Sequence, residues 1–454
     1  MPRQLPKTSS HLISFALLAL TSASNPVSAD PTQTIEDTLK FGNGGAVKFD
    51  LNTRYENVNQ DQGIKPTIGP GNGKYPLTAN AVTSRLRAGL LSPVFHGVQG
   101  YAEFEGNLAM QEDFNSLRNG YNQYSTIADP EKSELNQLWI SYAGIADTLI
   151  KGGRQRIKLD DDRFIGNVGW RQMETTFDSA LVTNQSIKDL TINAGYIGNV
   201  NTFIATTENV IAPLLNVNYK IGQYGNLVGY GYWLDYTDTK DPKDPVSTNT
   251  ITTIEKSNQT YGLRVNNYQK PGDTLKISDN YGVVYTAEWG YQQNYGHGKT
   301  PYQAQRINVM GGFTAYNLTF QGAMEQLDGH GHNKTFDTPL GTNHAFQGWA
   351  DVFAVNTPDH GIRDVFGTVH ARFLENDSLI LSGIYHDFSD DTGQRHYGTE
   401  LNFSALKKFG KHYSLLAKYA LYSADSSYVT GGVLDKSFAN TDTQKIWLQG
   451  NVNF

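Results

Sequence analysis

The chain has 454 residues, no cysteine, 12% aromatics and a mean hydropathy of −0.47. That mean is too polar for a helical membrane protein, and no apolar run beyond residue 30 reaches the roughly 20 residues that a spanning helix requires. The formal net charge of −7 argues against non-specific nucleic-acid binding, and 26 tyrosines with 45 glycines suit many strands and tight turns better than a helix-rich enzyme.

At the N-terminus, Arg3 and Lys7 precede an apolar stretch from Leu12 to Leu20 and the small-residue site Val27-Ser28-Ala29. This is the order of a secretory signal peptide. Residues 1–29 are therefore expected to be removed, leaving a short periplasmic segment at 30–45 and one β-barrel domain at 46–454. The first expected strand follows. Val47, Phe49, Leu51, Thr53 and Tyr55 fall on one face, and Lys48, Asp50, Asn52, Arg54 and Glu56 on the other. Side chains alternate across a strand, so one face is apolar and the other charged or amide.

The pattern recurs along the chain. Arg85 and Arg87 alternate with Leu86 and Leu90, and Glu103 and Glu105 with Ala102 and Phe104. Leu190, Ile192, Ala194 and Tyr196 share a face, as do Leu215, Val217 and Tyr219, and then Val228, Tyr230, Tyr232 and Leu234. Tyr285, Ala287, Trp289 and Tyr291 stand opposite Glu288; Ile307, Val309 and Phe313 stand opposite Arg306. Tyr397, Thr399, Leu401 and Phe403 face away from Glu400 and Asn402. About eighteen such segments of roughly ten residues can be counted, the length of a tilted membrane strand. Short links near 143–147, 186–189, 222–225, 314–316, 374–378 and 407–411 alternate with long polar ones at 59–82, 110–133, 237–258 and 328–361. Short turns on one rim and long loops on the other indicate an all-β, transmembrane antiparallel barrel with periplasmic turns and extracellular loops. Only the link at 266–280 is long where a short turn is due. Tyr55, Tyr196, Tyr219, Tyr232 and Tyr291 are expected to form aromatic girdles at the lipid boundaries, which a secreted soluble sandwich would not need.

The last segment places Ile446, Leu448, Gly450, Val452 and Phe454 on one face and ends there. An amphipathic strand closing on an aromatic resembles the C-terminal signal of outer-membrane barrels, which implies recognition by the insertion machinery. Two blocks resemble the alginate-export family of outer-membrane porins. The first holds Gly153-Arg154-Gln155-Arg156, Asp160-Asp161-Asp162-Arg163-Phe164-Ile165-Gly166-Asn167, Gly169-Trp170-Arg171-Gln172 and Thr176-Phe177-Asp178. The second holds Phe346-Gln347-Gly348-Trp349-Ala350-Asp351 and Gly361-Ile362-Arg363-Asp364. The resemblance implies an eighteen-stranded monomeric barrel, and in some members an arginine-rich constriction that passes anionic polyuronate.

Alternation points Arg54, Arg85, Arg87, Arg264 and Arg306 into the lumen with Lys48, Lys220, Lys418 and Lys445, opposed by Asp50, Glu56, Glu103, Glu105, Asp235, Glu288, Glu325 and Glu400. Arg154 and Arg156 share a face beyond the Gly152-Gly153 pair, which could hold a bulge. Arg163, Arg171 and Arg363 lie in the two family blocks, on segments expected to be loops able to fold inward. These arginines, with Glu103 and Glu105, are the expected pore-lining residues, because guanidinium groups suit carboxylates and a constriction focuses their field. Ion pairing across adjacent strands is the competing role.

Asp160, Asp161 and Asp162 are weak candidates for calcium, as are Asp387, Asp390 and Asp391; His330, His332 and His344 are weak candidates for a transition metal. Gly69 to Lys74 has the wrong spacing for a phosphate loop, and Tyr75 follows where a hydroxyl residue is needed. No esterase or metalloprotease motif appears, no cofactor is expected, and a barrel beginning near Ala46 leaves no room for a transporter plug before it. The expected function is a passive channel in the outer membrane of a Gram-negative bacterium. It would stand in outer-membrane lipid and pass small hydrophilic solutes, anionic or sugar-derived ones preferred. The alternatives are export of an anionic polysaccharide such as alginate, and a rim-located barrel enzyme or adhesin.

Overall fold

Alternating faces can bury their polar side only if the sheet curls and closes. The computed structural model shows that outcome; it describes residues 31–60, 76–238, 255–268, 270–354, 357–425 and 441–454. The expected leader and the glycine-rich stretch at 69–74 lie outside the described residues. A helix, α1 (Pro31–Leu39), precedes the sheet. The first six barrel strands are β1 (Gly45–Gln60), β2 (Ala79–Leu91), β3 (Val98–Asp113), β4 (Lys132–Ile145), β5 (Thr148–Gln155) and β6 (Thr176–Asn184). The next six are β7 (Leu190–Asn201), β8 (Thr207–Lys220), β9 (Asn226–Asp238), β10 (Asn258–Asn266), β11 (Tyr281–Asn294) and β12 (Gln303–Ala315). The last six are β13 (Leu318–Leu327), β14 (Ile362–Phe373), β15 (Leu379–Ser389), β16 (His396–Phe409), β17 (Tyr413–Ala424) and β18 (Thr443–Asn453).

Each strand pairs antiparallel with its sequence neighbours, and β18 returns to β1 in a register from Asp50↔Asn453 to Gln60↔Thr443. Eighteen strands thus form a closed barrel without a free edge. The long link after β10 hides no barrel strand. It carries a two-residue ladder, Leu275 and Lys276 against Val283 and Gly282, that folds back on the end of β11.

The outer face is apolar. Leu86, Phe104, Leu263, Val309 and Leu448 are exposed on it, while their inward neighbours Arg85, Arg87, Glu103, Glu105, Arg264 and Trp447 are buried. Tyr55 shares the outer face with Leu51, and Tyr196 and Tyr219 are exposed there. Tyr232 departs from the girdle expectation. It is 2% exposed and points inward with Val228, Tyr230, Leu234 and Tyr236, because an apolar segment inside the barrel packs on that face. Asp235 takes the opposite face, in register with exposed Ile211, and binds His297 there. Tyr397 is turned inward beside Phe353 and Phe388 by a register shift between β15 and β16.

An arginine placed on the lipid face near the bilayer midplane costs about 2–4 kcal/mol. Leu263→Arg, in the middle of β10, should lose that much in urea unfolding from vesicles; a loss below about 0.5 kcal/mol would refute the assignment of that face to lipid.

Candidate functional site

β5 and β6 are short because the chain leaves the wall between them. Residues 156–175 enter the barrel and touch its inner face on opposite sides. On one side Ile157, Leu159 and Ile165 join Val228, Tyr230, Tyr232, Leu234 and Tyr236 of β9 in one apolar cluster. The Phe164 ring lies 4.8 Å from Tyr230 and 6.1 Å from Phe336, which belongs to a second inward segment, 328–361. On the other side Gln172 and Glu174 meet β2 and β3. Segment 328–361 lays Phe336, Ala350, Val352 and Phe353 against the inner faces of β12 to β18. A third segment, 114–131, contributes Asp129. Apolar packing holds these segments in place, and charge aligns them.

The charges form two chains. In the first, Asp161 pairs with Arg264. Arg306 lies 2.7 Å from Glu288 and 2.8 Å from Glu325, and Arg163 of the crossing segment lies 3.0 Å from Glu325. In the second, Arg171 lies 3.1 Å from Glu56, 3.4 Å from Asp351 and 3.7 Å from Asp129. Asp351 also accepts from Lys445 at 2.8 Å and pairs with His344 at 2.6 Å. Lys418 stands 2.8 Å from His344 Nε2, with the Trp170 and Trp349 rings 4.0 and 3.9 Å from its ammonium. Nearby, Glu174 takes Arg156 and Arg87, Arg87 also binds Glu105, and Arg156 reaches Glu103 at 2.8 Å.

The structure thus brings Arg54, Arg85, Arg87, Glu103, Glu105, Arg264 and Arg306 to the inner wall and Arg156, Arg163 and Arg171 into the lumen on the crossing segment. Arg54 donates to the Trp170 carbonyl and stacks on its ring, and Arg85 pairs with Asp50. Arg154 and Arg363 go elsewhere. The pairing of β4 with β5 runs without a bulge through Gly152 and Gly153, so Arg154 shares the outer face with Leu138 and binds Asp178 at 2.7 Å. Arg363 is part of β14, on the outer face with Val365, where it donates to Gln326 and to the Asp391 carbonyl.

Asp129, Glu174, Asp351 and the His344–Trp170 stack had no alternation to reveal them, since none lies on a strand. Glu174, Asp351, His344 and Trp170 fall in or beside the two aromatic-rich family blocks, whereas Asp129 falls in neither. The three consecutive aspartates diverge: Asp160 to Asn216, Asp161 to Arg264, Asp162 to Lys158. Burial, reinforced by Asp161 against the pull of Arg264, pushes Asp160 up to about 6. His332 lies near Asp359, away from buried His344. Asp390 caps its own loop and Asp391 accepts from the Gly329 amide. Among the described residues no group of His, Asp and Glu is placed to hold a metal ion.

A closed eighteen-stranded barrel, apolar outside and crossed by inward segments, is an outer-membrane porin fold. The chain belongs to the alginate export family, whose model matches residues 51–345. In fold it is similar to the outer membrane protein OpdK of Pseudomonas aeruginosa, solved also with vanillate, at a TM-score of 0.63 and 12% identity, covering 90% of this chain and 98% of that one. OccAB2 of Acinetobacter baumannii gives 0.63 and 13%, and OpdL of P. aeruginosa 0.60 and 14%, each with the same coverage. No curated protein matches the sequence.

Removing one partner of a buried ion pair costs about 3–5 kcal/mol, because the other charge is left unpaired. Arg171→Ala should therefore free the crossing segment. Limited proteolysis should cut within 156–175 and conductance should rise; an unchanged cleavage pattern would refute this anchoring.

Acid acts on the same contacts. Burial, with Lys418 and Arg171 beyond the opposing Asp351, drives His344 from 6.5 to about 3. Burial alone would raise Asp351 and Glu174, but the cations around them hold both below the usual carboxylate range. Depressed values mean docking is fully stabilised above the unfolded values and is lost as pH falls through the folded ones. Docking should weaken progressively from about pH 6.5 towards pH 3, read as rising conductance or current noise; a flat profile over that window would contradict it.

Proposed function

We propose that the protein is a passive outer-membrane channel for small hydrophilic solutes, with anionic or sugar-derived ones favoured. One observation carries this reading. The mid-barrel charges are almost wholly covered, with Arg54 at 2%, Arg163 at 1% and Arg306 at 0% exposure, so the lumen beside them is narrow. A small solute can share such a lumen with folded segments. The arginines bear on selectivity mainly through the shape they give the passage, since each inward one is already matched to a carboxylate or a carbonyl.

Export of an anionic polysaccharide is the second reading, supported by family membership. A threaded polymer would require both crossing segments to withdraw together, against the two charge chains. We also infer that residues 1–29 are removed on secretion, that 30–45 stay in the periplasm, and that the strand ending at Phe454 is read by the insertion machinery.

Planar-bilayer recording of the purified protein tests the main reading. The expected result is small conductance steps, a reversal potential in a salt gradient modestly favouring anions, and no long blockades from polyuronate. A protein that gives no steps is not a channel, and cation selectivity would overturn the anion preference.

A further inference from the structure

Two inward-facing lysines stand apart from the charge chains. Lys48 on β1 and Lys151 on β5 make no ion pair among the described residues; each lies instead over an aromatic ring. Lys48 Nζ is 5.6 Å from the centre of the Tyr101 ring, and Lys151 Nζ is 4.7 Å from that of Trp139. The two rings are 5.5 Å apart and tilted by 39°. Tyr101 and Trp139 are register partners on β3 and β4. Register also sets Lys48 beside Gly89, and a side chain at Gly89 would collide with the Tyr101 ring. The absence of one lets that ring lie towards β1. Lys48, Tyr101, Trp139 and Lys151 therefore form one track across the inner wall of β1 to β5.

The track is wet. Lys48 is exposed, and Trp139 and Lys151 are half-buried. It lies towards the short-turn rim, below the point where the crossing segment leaves β5. Arg156, whose side chain is 32% exposed, closes its upper end from Glu103 and Glu174.

We propose that this track is a solute-binding station for a carboxylate carried on a six-membered ring with an apolar face. The inference rests on the channel reading for its physiological role, but not for the binding itself. A lysine ammonium is a strongly hydrated point charge on a flexible stem, and its contact with an exposed ring is weak and easily exchanged. An arriving carboxylate draws the ammonium groups off the rings, and the freed face of Trp139 takes the solute's ring. Paired arginines offer no such exchange, because their carboxylates would have to be displaced first. An aromatic acid and a uronic acid share this chemistry, the first stacking a π-face and the second the C–H face of its pyranose.

Isothermal titration of the folded, detergent-solubilised protein with benzoate, glucuronate and acetate tests the station independently of conduction. Benzoate, glucuronate or both should bind roughly tenfold more tightly than acetate, and the tighter of the two identifies the source of the ring. Lys48→Gln with Lys151→Gln should weaken the ring acids about tenfold, while Lys48→Arg with Lys151→Arg keeps most of the affinity. Trp139→Leu should bring the ring acids to the acetate level. Heat-modifiable mobility on gels confirms that each variant is folded. The station is overturned if acetate binds as well as the ring acids, if no acid binds, or if the double glutamine variant binds like the parent. Ring-acid binding that depends on the lysines, in a protein that gives no conductance steps, would uphold the station and defeat the channel reading.

Discussion

A guanidinium carried to the middle of a barrel must meet a carboxylate there, and this requirement fixes where the inward segments lie. Transfer of an unpaired charge from water into a packed interior costs several kcal/mol after relaxation. The inner wall carries Arg54, Arg264 and Arg306 at depths where segment 156–175 excludes water. That segment brings Asp161 to Arg264 and Arg163 to Glu325, and on its other limb Arg171 to Glu56. A segment docked one residue out of place would leave several of these charges buried and alone. The pairs add little net stability over an apolar core, but they penalise alternative placements heavily.

The apolar contacts do the complementary work. Phe164 lies against Tyr230 and near Phe336, and Trp170 stacks on His344 at 4.4 Å with Trp447 at its edge. Burying such rings supplies the drive to enter the barrel, which ion pairs cannot supply because water competes for them. Direction comes from charge and force from the aromatics. The two inward segments also depend on each other, since Arg171 of one and Asp351 of the other form a direct pair.

The wall was legible in the sequence because a strand in a barrel has two environments and a period of two. Arg54, Arg85, Arg87, Arg264 and Arg306 all fall where alternation places them, and the eighteen strands and their closure follow the alternating segments and links. The lumen was legible only where it is wall. Asp129, Glu174 and Asp351 lie on segments without a period, and their positions are decided by partners up to 180 residues away. Tyr232 shows a second limit. Alternation reports that a face is apolar, not which way it points, and in a barrel containing packed segments an apolar face can be an inner one. Arg363 shows a third: membership of a family block suggested a loop, but the strand begins at Ile362, directly after the long link, and makes Arg363 a wall residue with a fixed side.

Selectivity is the property that suffers most from counting residues. An arginine 2.7 Å from a carboxylate presents a dipole, whose field decays faster with distance than that of a single charge. In the mid-barrel every such cation is opposed in this way, so the number of arginines there says little about the sign of the potential a solute meets. What counts is charge left without a counterion at a wet surface, and the described inner wall has that at Lys48 and Lys151 rather than in the arginine chains. A wall can thus be rich in arginine for the sake of folding its own loops and still discriminate among solutes elsewhere. By the same reasoning, a family member with fewer acids on its inward segments would expose those arginines, widen its lumen and turn the same strand framework towards longer anionic substrates.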